Sequence, residues 1–126
     1  MTVAFWCVLI AALLPYLGTL SAKIGGRMAP QANHNPREFL DGLKGWPKRA
    51  HWYQLNSFEA FPPFAAAVIV ATLARAPQGR IDALAVAFIV LRLLHYICYV
   101  SDRATLRSLV WAGGAVCTVW LFVLGA

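Results

Sequence analysis

The sequence predicts an all-α integral membrane protein, a four-helix bundle that assembles as a homotrimer, and two observations carry the bundle. Hydrophobic residues make up 60% of the 126-residue chain and charged residues only 13%, against about 45–50% and about 25% in soluble domains. One domain of this length cannot hide that much apolar side chain from water, so the surplus faces lipid. The second observation is spacing: four apolar stretches approach the roughly 20 helical residues needed to cross a hydrocarbon core of about 30 Å. The trimer is taken up below, with the resemblance that implies it.

The first span covers about residues 3–21. It lacks a basic leader, and Pro15 and Tyr16 interrupt its apolar run, so a retained helix is expected rather than a cleaved signal. A long connection, 22–48, carries the breakers GG, NHNP and GWP and is expected as an exposed loop with a short helical piece at 37–43. The second span, 49–76, begins near Arg49, becomes largely apolar after Phe58 apart from Glu59 and ends before Pro77. The turn APQG then leads to a third span at 81–101, and the fourth covers 106–125. In the second span Pro62 and Pro63 deprive the carbonyls of Phe58 and Glu59 of helical partners, which predicts a kink there.

The net charge of +6 points to a membrane-flanking loop rather than to nucleic acid. Lys23, Arg27, Arg37, Lys44, Lys48 and Arg49 cluster between apolar spans with no interleaved aromatic platform. The third connection adds Arg103 and Arg107, whereas the second has only Arg75 and Arg80. By the positive-inside rule the first and third connections face the cytoplasm and both termini face the opposite side. Cys7, Cys98 and Cys117 each lie in an apolar segment without CxxC or Cys/His spacing. They read as packing residues, and no metal is expected.

Helical geometry gathers the polar residues of the spans. At 100° per residue, Arg49, Trp52, Asn56 and Glu59 share an arc of about 80°, and Arg92, His95, Tyr99 and Arg103 share another. Both stripes lie toward the basic end, where Arg107 opens the fourth span. Taken singly, each residue has a plain reading. Asn56 and Tyr99 suit interhelical hydrogen bonds, Glu59 and Arg92 suit a buried ion pair, Arg49, Arg103 and Arg107 suit snorkelling, and His51 and Trp52 suit interface anchors. Together they form a cationic cluster with one carboxylate at one level of the bundle. That suits an anionic ligand that also bears an ammonium group.

Two motifs carry a family resemblance: RAHWYQLNSFEAFP at 49–62 and RLLHYICY at 92–99. The first is similar to the span-two pattern Arg, then N-x-x-E-x-x-P, of the MAPEG family, membrane-associated proteins in eicosanoid and glutathione metabolism. The second is similar to the R-x-x-H-x-x-x-Y of microsomal prostaglandin E synthases, and Arg107 and Ser108 follow it. The resemblance implies a homotrimer with glutathione, as co-substrate, held between neighbouring subunits. It implies that Asn56 and Glu59 hold glutathione, with Glu59 receiving the γ-glutamyl ammonium. It further implies that Gln54, His95 and Tyr99 are contacts and that Arg107, with Ser108 beside it, faces the sulfur. A guanidinium there lowers the thiol pKa and supplies the reactive thiolate. Arg49 and Arg92 are available for the two carboxylates.

Trp52 stands where other members carry an arginine, the spacing from Tyr99 to Arg107 is one residue shorter than in the prostaglandin synthases, and Lys23 and Arg27 both offer themselves as the family's first-loop cation. The implied activity is a glutathione transferase or peroxidase acting on lipophilic electrophiles or hydroperoxides in a membrane, expected to be a bacterial inner membrane. Two other classes fit the same residues. One is a non-catalytic protein that binds lipophilic ligands. The other is a small proton-coupled exporter built on Glu59, although a fixed cationic cluster repels cationic cargo.

Overall fold

The computed structural model describes residues 1–126 and contains only helices and turns. In chain order these are α1 (Val3–Gly25), a short 3-10 turn (Pro30–His34), α2 (Pro36–Asp41), α3 (Gly45–Leu73), α4 (Gln78–Val100) and α5 (Ala104–Leu124). Helices α1, α3, α4 and α5 are each long and apolar enough to cross a membrane, and they pack as an antiparallel up-down-up-down bundle. Both chain termini and the α3–α4 turn lie at one end. The 26–44 connection and the α4–α5 turn lie at the other.

Helix α3 begins at Gly45, four residues before Arg49. The GWP sequence that reads as a breaker is the first turn of the helix. Pro47 sits where the backbone N–H has no intrahelical partner, so the proline costs no bond there. The same helix runs unbroken through Pro62 and Pro63, as membrane-length helices tolerate. Helix α4 stops at Val100, so Arg103 caps the start of α5 instead of continuing the α4 stripe.

Small residues set the closest approach. The face that α1 buries is Ala4, Cys7, Ala11, Leu14, Pro15, Gly18 and Ala22, a spacing of three and four that keeps one stripe against α3. A Cβ at Gly18 would stand 2.7 Å from the carbonyl oxygen of Ala50 and 2.9 Å from the amide nitrogen of Gln54. Only glycine permits that contact between backbones. The start of α1 is tied to α4, where Asp82 Oδ1 accepts the amide of Ala4 at 2.8 Å and the side-chain amide of Gln78 at 2.9 Å. A carboxylate at a helix N-terminus satisfies a free donor and complements the helix dipole.

The interior has two halves. Toward the chain termini lies an apolar core of Phe64, Ala67, Val68, Ala71, Ile81, Ala85 and Phe88, with Cys7 and Cys117 buried in it. Phe64 and Phe88 close it off as a stacked pair with centroids 3.9 Å apart. Toward the 26–44 connection the interior becomes polar and aromatic. Helix α2 docks over that end through Leu40, buried against Ala22 and Ala50. Lys48 Nζ donates to the carbonyl oxygens of Leu40 and Asp41 at the end of α2.

Candidate functional site

Just beyond the Phe64–Phe88 stack, α3, α4 and α5 part to leave a cleft of about 280 Å³. Its polar wall is Asn56, Glu59 and Arg92, and its apolar wall includes Ala60, Phe88, Trp111 and Val119. Gly114 on α5 also lines it, facing Phe88. The spacing of Asn56 and Glu59 puts both on one face of α3, opposite the arginine of α4.

Arg92 organises this wall. It is 4% exposed, and it donates to Asn56 Oδ1 at 2.9 Å and to Ser57 Oγ at 2.8 Å. Its guanidinium also lies 5.4 Å from the centroid of the Tyr53 ring. All these partners are neutral. The chain's single ion-pair contact joins His51 to Asp41, so Glu59 and Arg92 do not form the pair that their sequence positions allow. Burying a charge without a counter-charge is expensive. The Arg92 guanidinium therefore stands at the cleft as an anchor without an anion, while Glu59 opposite it is exposed.

A second group of expected residues gathers on the side nearer α2. His95 is buried and its ring meets Tyr99 edge-on at 4.9 Å. The Arg107 guanidinium lies 4.9 Å from the Tyr99 ring centroid, a cation–π contact that holds the start of α5 against α4. Ser108 is exposed and its hydroxyl donates to the carbonyl of Ala104 within its own helix.

Two expected residues are engaged elsewhere. Arg49 Nε donates to the carbonyl of Tyr99 at 2.9 Å and one terminal nitrogen to that of Val100 at 3.1 Å. There it bonds two carbonyls of the last turn, that of Tyr99 also accepting the amide of Asp102, and complements the negative end of the α4 dipole. Gln54 Oε1 is 3.0 Å from His51 Nδ1 and lies outside the cleft. His51 is not an interface anchor: it is 6% exposed, with its other ring nitrogen 3.4 Å from Asp41 Oδ1.

Tyr53 and Ser57 were passed over in the sequence and are central here. Tyr53 is fully buried, and its ring packs edge-on to Tyr96 at 5.2 Å. Tyr96 in turn shares a 2.6 Å hydrogen bond with Ser21 on α1. The signal was available: Tyr53 and Ser57 are four residues apart and border the arc of Asn56. Trp111 and Thr118 follow Arg107 by four and eleven residues, on the same face of α5, so helical spacing offered a signal for them too.

The arrangement suits a ligand with a carboxylate for Arg92, an ammonium for Glu59 and an apolar part along Phe88 and Trp111. The model of the MAPEG family matches residues 3–126, which is nearly the whole chain. No curated protein and no solved structure gives a significant match.

Proposed function

The chain belongs to the MAPEG family, and from that premise we propose a membrane-bound, glutathione-dependent transferase or peroxidase acting on lipophilic electrophiles or hydroperoxides. The observation that carries this reading is the buried Arg92, without an acidic partner, facing Glu59 across a cleft with an apolar wall. A γ-glutamyl end carries one carboxylate and one ammonium, and these two side chains complement both charges. Clefts for whole drug-sized ligands run from about 300 Å³ upward, so the space within one chain accommodates this end of a tripeptide. The remainder would extend toward Tyr99 and Arg107, and a neighbouring subunit of a homotrimer would close the site.

In this reading Asn56, held by Arg92, orients the bound peptide, and His95 and Tyr99 form the wall beside it. Arg107 stabilises the thiolate after the proton leaves to solvent. The sulfur then bonds to an electrophilic carbon and displaces its leaving group, or attacks the outer peroxide oxygen, breaking the O–O bond to give a sulfenic acid and an alkoxide that takes a proton from solvent. A second glutathione then converts the sulfenic acid to the disulfide and water. Ser108 is available as a hydrogen-bond donor beside Arg107. Lipophilic substrates would reach the cleft from the membrane between helices.

Calorimetric titration of the detergent-solubilised protein with glutathione is expected to show binding, accompanied by thiolate absorbance near neutral pH. Absence of both would overturn the proposal. Arg107→Ala is expected to keep binding within a fewfold and to lose the thiolate signal together with turnover. A second reading, a non-catalytic binder of lipophilic ligands, is favoured by one observation: Arg107 is turned onto the Tyr99 ring and does not line the cleft. It predicts thermal stabilisation by an apolar ligand with no turnover in the presence of glutathione.

A further inference from the structure

Lys23 and Arg27 both offer themselves as the first-loop cation of the glutathione site, but within one chain they stand apart from its other residues. They line an open groove of about 560 Å³ at the end of α1, together with Ile24, Met28, Ala29, Pro30 and Asn33. None of Asn56, Glu59, Arg92, Tyr99 or Arg107 reaches that groove, and no acidic residue lines it. Neither cation has a side-chain hydrogen bond or ion pair within the chain: the only ion-pair contact is His51 with Asp41, and the polar side-chain contacts near this end of α1 go from Ser21 to Leu17 and Tyr96.

The groove also has an apolar approach from one direction. Ile24 is 75% exposed and Leu20, one turn earlier on α1, is 60% exposed. Both lie where α1, one of the four membrane-length helices, runs out into the connection to α2. The site thus combines two free cations, an amide side chain and an apolar strip that continues down a transmembrane helix. A soluble anion would use the cations and leave the strip idle, whereas a lipid uses both.

We propose that this groove binds the headgroup of an anionic phospholipid, its phosphate between Lys23 and Arg27 and one acyl chain lying along Ile24 and Leu20. The occupant is a lipid of the surrounding bilayer, separate from the thiol ligand, and the site does not depend on the catalytic reading. It holds the α1 end of the long connection against the membrane surface. Basic residues near an anionic leaflet contribute independently, so loss of two is expected to weaken retention about thirtyfold.

The test uses the full-length protein in mild detergent, with lipid retention read by native mass spectrometry after adding phosphatidylglycerol or phosphatidylcholine. The variant is Lys23→Gln/Arg27→Asn; Arg27 has φ 52°, and asparagine tolerates that left-handed backbone. Wild type is expected to retain phosphatidylglycerol in preference to phosphatidylcholine, and the variant to lose that preference with glutathione titration unchanged. A charge-matched control, Arg37→Gln/Lys44→Gln, is expected to keep it. Equal loss in the control would mean diffuse attraction to the whole loop and would overturn a defined site. Unchanged lipid retention in the variant also overturns it, and a simultaneous loss of glutathione binding would assign both cations to the thiol ligand. If wild type binds no glutathione at all, the catalytic proposal fails while the lipid comparison still decides this one.

Discussion

Arg92 is held by hydrogen bonds to Asn56 and Ser57, which fix its position without neutralising it. Such a group is a stability liability kept for another purpose, so removing it and shortening it have different consequences. Arg92→Met is expected to leave the thermal midpoint unchanged or slightly raised and to weaken glutathione binding at least about tenfold, roughly one charge-assisted hydrogen bond. Arg92→Lys keeps the charge but loses the fork that reaches Asn56 and Ser57 together; its midpoint is expected to fall. Differential scanning measurements beside calorimetry check both. The sequence made Arg92, Asn56 and Glu59 legible because helical spacing and the rarity of charge in a span point to them directly. It could not reveal what each side chain touches. Arg49 shares the arc of Asn56, yet its length lets it reach past that face to the carbonyls of Tyr99 and Val100. Spacing fixes the direction of Cβ, and a long flexible side chain chooses its own partner beyond it.

Among the helices, the tightest constraint is where α1 crosses α3. Gly18→Leu would drive side-chain atoms into the backbone of Ala50 and Gln54, and neither atom can swing away. The helices must separate, and a loss of several degrees in thermal midpoint is expected, as for overpacked interiors that lose about 1–3 kcal/mol. Gly79, whose added Cβ would meet nothing within 4 Å, supplies the contrast: Gly79→Ala is expected to be neutral or mildly stabilising in the same measurement. The helix bounds illustrate how far local pattern reaches. Apolar runs located all four membrane-length helices, but the start of α3 was misread because a proline has opposite meanings in a first turn and in an interior. Helix α3 continues through Pro62 and Pro63, both exposed; two missing donors weaken a helix without ending it.

For the molecule as a whole, charge and shape divide the bundle in the same way. The end that carries the 26–44 connection holds Lys23, Arg27, Arg37, Lys44, Lys48, Arg49, Arg103 and Arg107, and the other end holds Arg75 and Arg80. Labelling of single cysteines placed at Lys44 and at Gln78 in intact cells is expected to find only Gln78→Cys accessible from outside. Equal accessibility from the outside would refute the orientation. Cross-linking in membranes is expected to trap a trimer, with glutathione bound at no more than one equivalent per chain. The hydrogen bond from Ala4 to Asp82 spans 78 residues, and it has a consequence for how the protein is made. A ribosome delivers α1 first, but the carboxylate that closes its leading turn arrives only with the third membrane-length helix. Until that helix is made, the first turn of α1 has only its own Thr2 side chain, which accepts the amide of Phe5, as a cap.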